Sequence, residues 1–108
     1  MRDYTYDFVR ESGGVDTDAF VANGESKVRV LPWMMEKAFQ VDGTFVATVK
    51  LFGRIKSSFV FKELASVTAA DLVPIPTFIL ECKIVISGYS SGTIKASIAG
   101  QNVQRGGA

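Results

Sequence analysis

The chain contains no histidine and a single cysteine, Cys82, so the residue types that usually supply a base, a nucleophile or a soft metal ligand are almost missing. Catalytic triads and zinc sites draw on His and Cys, and here they have nothing to draw on. Four carboxylates in the body of the chain, Asp42, Glu63, Asp71 and Glu81, remain as material for acid–base work, two of which a glycosidase would have to bring together. They fall on separate segments and no spacing converges them. Asp3, Asp7, Asp16 and Asp18 lack the alternating oxygen ligands, central glycine and distal glutamate of a calcium loop. Gly13-Gly14 stands outside any strand-to-helix turn, so no phosphate-cradling loop is indicated. These residues predict a protein that is not an enzyme and takes neither metal nor cofactor. Cys82 falls on the apolar side of an alternating segment, where a thiol acts as a small hydrophobe.

Binding chemistry has more to work with. Lys50, Arg54, Lys56 and Lys62 lie on or near one expected hairpin, but single-stranded nucleic acid also needs exposed aromatic rings on the same face, and only Phe52 offers one. Nucleic acid is therefore not the expected partner. Trp33, Tyr89 and Phe52 could form an aromatic platform for a sugar, which keeps a carbohydrate-binding module as the alternative reading. Charge is distributed unevenly. Residues 1–25 carry two cations against six carboxylates, and residues 26–108 carry ten cations against five. An acidic arm and a basic body attract each other, within one chain or between neighbours.

These side chains must be positioned by strands. From Thr44 to Ile55 the odd positions carry Phe45, Ala47, Val49, Leu51 and Ile55, with Thr48, Lys50 and Arg54 between them. Successive strand side chains point to opposite faces, so this alternation predicts a long strand with one dry face. Phe78, Leu80, Cys82, Ile84 and Ile86 repeat it from Phe78 to Ser87. Two long strands with greasy faces require a second sheet, which predicts an all-β fold: an antiparallel β-sandwich, jelly-roll-like or immunoglobulin-like, of about six to eight strands. A chain of 108 residues suits one such domain. No apolar run approaches the roughly 18 residues of a membrane helix, and the acidic start has no secretory character, so synthesis in a cytoplasm without a targeting step is expected.

The expected organisation is an N-terminal arm or first strand over 1–25, a sandwich domain over 26–100 and a tail over 101–108. Tyr4, Tyr6 and Phe8 alternate as a strand would, and such a segment can add to the edge of its own sheet or of a neighbour's. Ser26–Leu31 alternates up to Pro32, after which Trp33 and Met34 could close the sandwich or anchor a partner. Asp42-Gly43 makes a turn into the long strand. Lys56-Ser57-Ser58 predicts a loop of about three to five residues before a strand from Phe59 to Leu64. Residues 65–71 read as a short helical turn or loop. Leu72–Pro76, with two prolines, reads as an edge or a crossing between sheets. Thr93–Ile98 is the last strand. On the outward face of the long strand, Val46 and Phe52 interrupt a polar row.

From Val41 to Gly100 the chain resembles the small β-sandwich domains of tailed-bacteriophage virion proteins. The likeness rests on Asp42-Gly43-Thr44-Phe45, Ala47-Thr48-Val49-Lys50-Leu51-Phe52-Gly53, Phe59-Val60 and Val85-Ile86-Ser87-Gly88-Tyr89-Ser90-Ser91-Gly92-Thr93-Ile94. The hairpin departs from it, since that family often has Asp-Gly where this chain has Lys56-Ser57-Ser58. The resemblance implies a virion structural protein, by preference one that decorates or cements the capsid, otherwise a head-fibre or tail component. It implies the major capsid protein or other virion proteins as partners, and homo-oligomers. Tyr4, Tyr6 and Phe8 are the first expected partner contacts, followed by Trp33, Met34 and Phe52.

Overall fold

The computed structural model describes residues 2–8, 10–12, 15–17, 20–31 and 36–102. Trp33, Met34 and residues 103–108 lie outside them. The strands are β1 (Arg2–Asp7), β2 (Arg10–Ser12), β3 (Val15–Thr17), β4 (Gly24–Glu25), β5 (Arg29–Val30) and β6 (Glu36–Asp42). They continue as β7 (Phe45–Arg54), β8 (Lys62–Val67), β9 (Asp71–Pro74), β10 (Glu81–Gly92) and β11 (Lys95–Asn102). One sheet has the order β1-β11-β6-β9; the other has the order β4-β10-β7-β8, with β5 also paired to β10. All pairings are antiparallel. The fold is an all-β sandwich.

Burial follows the sequence alternation. Ala47, Val49 and Leu51 of β7 and Cys82, Ile84 and Ile86 of β10 turn their side chains inward. Phe39 and Val41 of β6 and Ala96 and Ile98 of β11 meet them from the other sheet, and all join one core. Burying apolar surface is the main force holding the sheets together, at roughly 25 cal/mol per Å². Phe8 belongs to that core. It is 1% exposed, packs edge-to-face on Phe39 at 6.0 Å, and donates its N–H to the Ala96 carbonyl. β1 pairs with β11 of its own chain, Tyr4 opposite Gly100 and Tyr6 opposite Ile98. In this structure the segment is a strand paired within its own chain, and Phe8 lies in the core.

Several local expectations are corrected. Ser26–Leu31 is not one strand: β4 and β5 are two-residue pieces, Val28 and Val30 are exposed, and Leu31 is buried. Ser26 breaks the ladder usefully, its buried hydroxyl accepting from the Ile84 N–H at 2.9 Å. The strand placed at Phe59–Leu64 begins at Lys62, leaving a longer connection, residues 55–61. It then runs to Val67, so no helical turn occupies 65–67. β10 starts at Glu81 rather than Phe78. A bend at Leu80 shifts the alternation by one residue, so Ile79 is buried while Phe78 and Leu80 are exposed. β9 is an edge strand reached by a crossing from β8, as its prolines required.

The chain passes between the sheets at one end of the sandwich through two adjoining links, β6 to β7 and β10 to β11. They are tied where the Thr93 N–H donates to the Thr44 carbonyl at 3.0 Å. Gly92 sits in this crossing at φ +99°, and a Cβ there would overlap the Thr44 carbonyl oxygen. Only glycine satisfies both conditions at once.

Candidate functional site

The opposite end of the sandwich carries a groove. β7 finishes at Arg54, the connection 55–61 loops over, β8 begins at Lys62, and residues 77–79 lead into β10. Together they enclose about 470 Å³. The floor is Gly53, Leu64 and Ile79. Gly53 allows this closure: a Cβ at that position would stand 2.8 Å from Leu64 Cδ1 and 2.9 Å from Ile79 Cγ2, inside any real contact distance. The walls are Ile55, Phe59, Val60 and Phe78, which are 49%, 51%, 76% and 50% exposed. Isolated exposed apolar side chains are ordinary on a protein surface, but here four large ones are contiguous.

Arg54 holds the groove in shape. Its Nε donates to Glu81 Oε1 at 2.6 Å, directly across the β7–β10 ladder, and its Nη1 donates to the Phe59 carbonyl at 3.2 Å. The same guanidinium stacks 4.1 Å from the centre of the Phe61 ring. One planar fork thus ties two strands to the loop, a combination that a lysine ammonium cannot reproduce. Lys83 covers the same ring at 4.8 Å and pairs with Glu25. Lys56 lies 5.6 Å from the centre of the Phe59 ring. Among the described residues, neither Lys56 nor Lys62 pairs with a carboxylate.

The four carboxylates considered for acid–base work are apart. Glu63 pairs with Lys50 at 3.3 Å, Glu81 with Arg54, Asp71 accepts from the Leu72 N–H at 2.8 Å, and Asp42 accepts from Gln40 Nε2 at 3.5 Å. Among the described residues no three His, Cys, Asp or Glu gather in a way that could hold a metal ion. Cys82 is fully buried opposite Gly53, and burial pushes its thiol pKa up to about 12, the Arg29 charge partly opposing the shift. A thiol held protonated in this way is inert as a nucleophile.

No family model, curated protein or solved structure matches this chain. The site has to be judged on its geometry. Phe52, expected as a partner contact, is half-buried on the outer face of β7 opposite Lys83. Tyr89 lies in the irregular part of β10, its hydroxyl donating to the Gly92 carbonyl at 2.6 Å. It is six residues beyond Lys83, roughly 20 Å at the usual strand rise. Phe52 and Tyr89 therefore do not form one platform. For Tyr4 and Tyr6 the structure fixes the strand register described above. The groove residues Ile55, Val60 and Phe78 were not picked out from the sequence. For Val60 and Phe78 the signal was present in two runs of consecutive apolar residues, Phe59-Val60-Phe61 and Phe78-Ile79-Leu80, which no half-buried strand requires; Ile55, between Arg54 and Lys56, carried none.

Proposed function

We propose that this chain is a non-enzymatic structural protein of a tailed-phage virion, decorating or cementing the capsid through protein–protein contacts, with the groove at the β7–β8 end as its docking surface. The observation that carries the docking role is the groove itself: four large apolar side chains about half exposed or more, rimmed by cations, on a rigid sandwich. An apolar centre with a charged rim is the usual anatomy of a protein-binding patch. Its lining holds no carboxylate. Its polar members are Arg54, Lys62, Ser58 and Thr77, a set suited to recognition more than to bond breaking. The virion assignment draws on the resemblance of residues 41–100 and accords with a sandwich that leaves a large apolar surface open at one end.

Two measurements test this reading. Peptides of the chain should be found by mass spectrometry in gradient-purified virions of the source phage. A Phe59→Ser/Phe78→Ser variant should fold, because both rings are half exposed, yet fail to enter the particle. Purified particles free of the chain would refute the virion assignment, and full incorporation of the double variant would refute the groove as its docking surface.

A further inference from the structure

The five-stranded sheet ends at β8, and among the described residues no strand lies beyond it. Which of its backbone groups are left over follows from the far side of the sheet. The Ser26 N–H donates to the Ile84 carbonyl and the Ser26 hydroxyl accepts from the Ile84 N–H, so Ile84 turns both main-chain groups toward β4. Direction alternates along a ladder, so Val85 turns to β7, Lys50 opposite it turns to β10, and Val49 and Leu51 turn to β8. Val67 and Ala65 answer those two, which leaves Ser66 pointing outward. Past the bulge, Phe52 turns to Lys83 of β10, and Glu63 opposite Phe52 points outward as well. Among the described residues, the main-chain groups of Glu63 and Ser66 have no hydrogen-bond partner.

This open edge and the groove share residues. Lys62 and Leu64 belong to β8 and also line the groove, and Leu64 packs against the core from the inner face of the sheet. A strand laid along β8 would lie about 4.8 Å from it, and every second side chain would fall on the face that Leu64 occupies. There the groove offers apolar walls and about 470 Å³ of room. Charge selects the sign of what enters. The lining holds no carboxylate, Arg54 is committed to Glu81, and among the described residues Lys56 and Lys62 have no acidic partner.

We infer that the groove and the β8 edge together take an extended acidic segment of another protein, which adds to the five-stranded sheet as a strand. Its alternate apolar side chains enter the groove, and its carboxylates face Lys56 and Lys62. This inference rests on the groove being a docking surface and names what docks there. Main-chain bonds to Glu63 and Ser66 would hold any extended chain, whereas the groove and the two lysines choose which one. A second copy of β8 is the poorer occupant. It brings another Lys56 and Lys62 to the same place, and its Glu63 is already paired with Lys50.

Fluorescence polarisation with synthetic probes tests the inference. The parent probe is a fluorescein-labelled nonapeptide with Phe and Val at alternate central positions, Thr between them and Asp at both ends. It should bind the wild-type chain saturably below millimolar concentration. Lys56→Glu/Lys62→Glu should weaken it about tenfold at low ionic strength, two exposed ion pairs being lost. Both positions are exposed, and circular dichroism confirms that the variant is folded. Two further probes carry N-methyl groups on alternate residues, one in each phase. The phase that blocks the edge should bind at least about tenfold more weakly, while the other, whose methyl groups face solvent, binds as the parent does. Amide exchange at Glu63 and Ser66 should slow when the parent probe is bound. No binding at millimolar probe, equal binding in the two phases, an unprotected Ser66 or an unaffected lysine variant overturns the inference. A chain that dimerises without probe and protects Ser66 overturns it too, since the edge is then taken by a second copy. The docking surface is judged separately, by whether Phe59→Ser/Phe78→Ser enters virions.

Discussion

Replacing Phe8 by alanine asks whether residues 2–8 are part of the folded domain. The ring is 1% exposed and stacks edge-on to Phe39, between the two sheets. Removing a buried phenylalanine costs about 3 to 5 kcal/mol, and the edge-to-face contact with Phe39 places this site in the upper half of that range. A domain of this size has only about 5 to 15 kcal/mol in total. With a urea dependence of about 1.5 kcal/mol per molar, the unfolding midpoint should fall by roughly 3 M. Phe8→Leu keeps most of the apolar volume and should fall by less than about 1 M, a loss near 1 to 1.5 kcal/mol. The assay is equilibrium unfolding in urea followed by Trp33 fluorescence and by circular dichroism at several protein concentrations. Wild-type and Phe8→Ala midpoints that coincide would refute the placement of β1 in its own domain. A shift that appears only at concentrations where copies associate would refute it as well, since the ring would then be buried in a neighbour.

Gly92→Ala should be far costlier than Gly88→Ala, because Gly92 is crowded by Thr44 whereas a Cβ at Gly88 has nothing within 4 Å. The left-handed backbone alone costs about 1 to 2 kcal/mol, so Gly88→Ala should lower the melting temperature by about 4 to 16 °C and Gly92→Ala should drop it further or prevent folding. Equal shifts would contradict the crowded crossing. Burial raises the Cys82 pKa from 9.0 to about 12, so its contribution to stability is complete below pH 9 and declines above it. Between pH 9 and 12 the unfolded chain loses a proton that the folded chain keeps, and stability should fall by about 1.4 kcal/mol per pH unit. Cys82→Ala should remove that component of the alkaline slope in urea titrations at pH 9 to 10.5; identical slopes would mean that the thiol titrates in the folded state. Arg54→Ala should destabilise the fold by roughly 1.5 kcal/mol, the low end for hydrogen bonds to a charged group because the pair is about one-fifth exposed. Amide exchange over residues 56–61 should quicken in this variant and in Arg54→Lys, and unchanged exchange would show that Arg54 does not hold the loop.

The sandwich was legible wherever a strand has one wet face and one dry face. Ala47, Val49 and Leu51 alternate with Thr48 and Lys50 because β7 lies between a core and solvent, and the same holds for Cys82, Ile84 and Ile86. Periodicity fails where the chain bends. Leu80 continues the spacing of Cys82 and Ile84, but the bend before Glu81 turns it outward. Val28 and Val30 share the spacing of a buried strand yet remain exposed, because backbone pairing with β10 is interrupted after Glu25. Phe20 has no periodic partner at all. Its burial comes from a single bridge to Ile94, a contact more than 70 residues away in sequence that local pattern cannot encode. The groove is of the same kind. It arises where residues 53–64 and 77–79 converge, and only the lack of a Cβ at Gly53 lets Leu64 and Ile79 close beneath it.

The bond from Phe8 to Ala96 also settles which backbone groups of β1 are left over. In an antiparallel ladder successive residues alternate in direction, so Arg2, Tyr4 and Tyr6 direct their N–H and C=O groups to β11. Asp3, Thr5 and Asp7 direct theirs outward, along the open margin of the four-stranded sheet. A second copy adding there as an antiparallel strand centred on Thr5 would set Asp3 against the partner's Asp7, twice over. Opposed carboxylates make that union unfavourable, and the margin at β9 is short and ends in Pro74. Sideways union of copies along this sheet is therefore disfavoured at both of its margins.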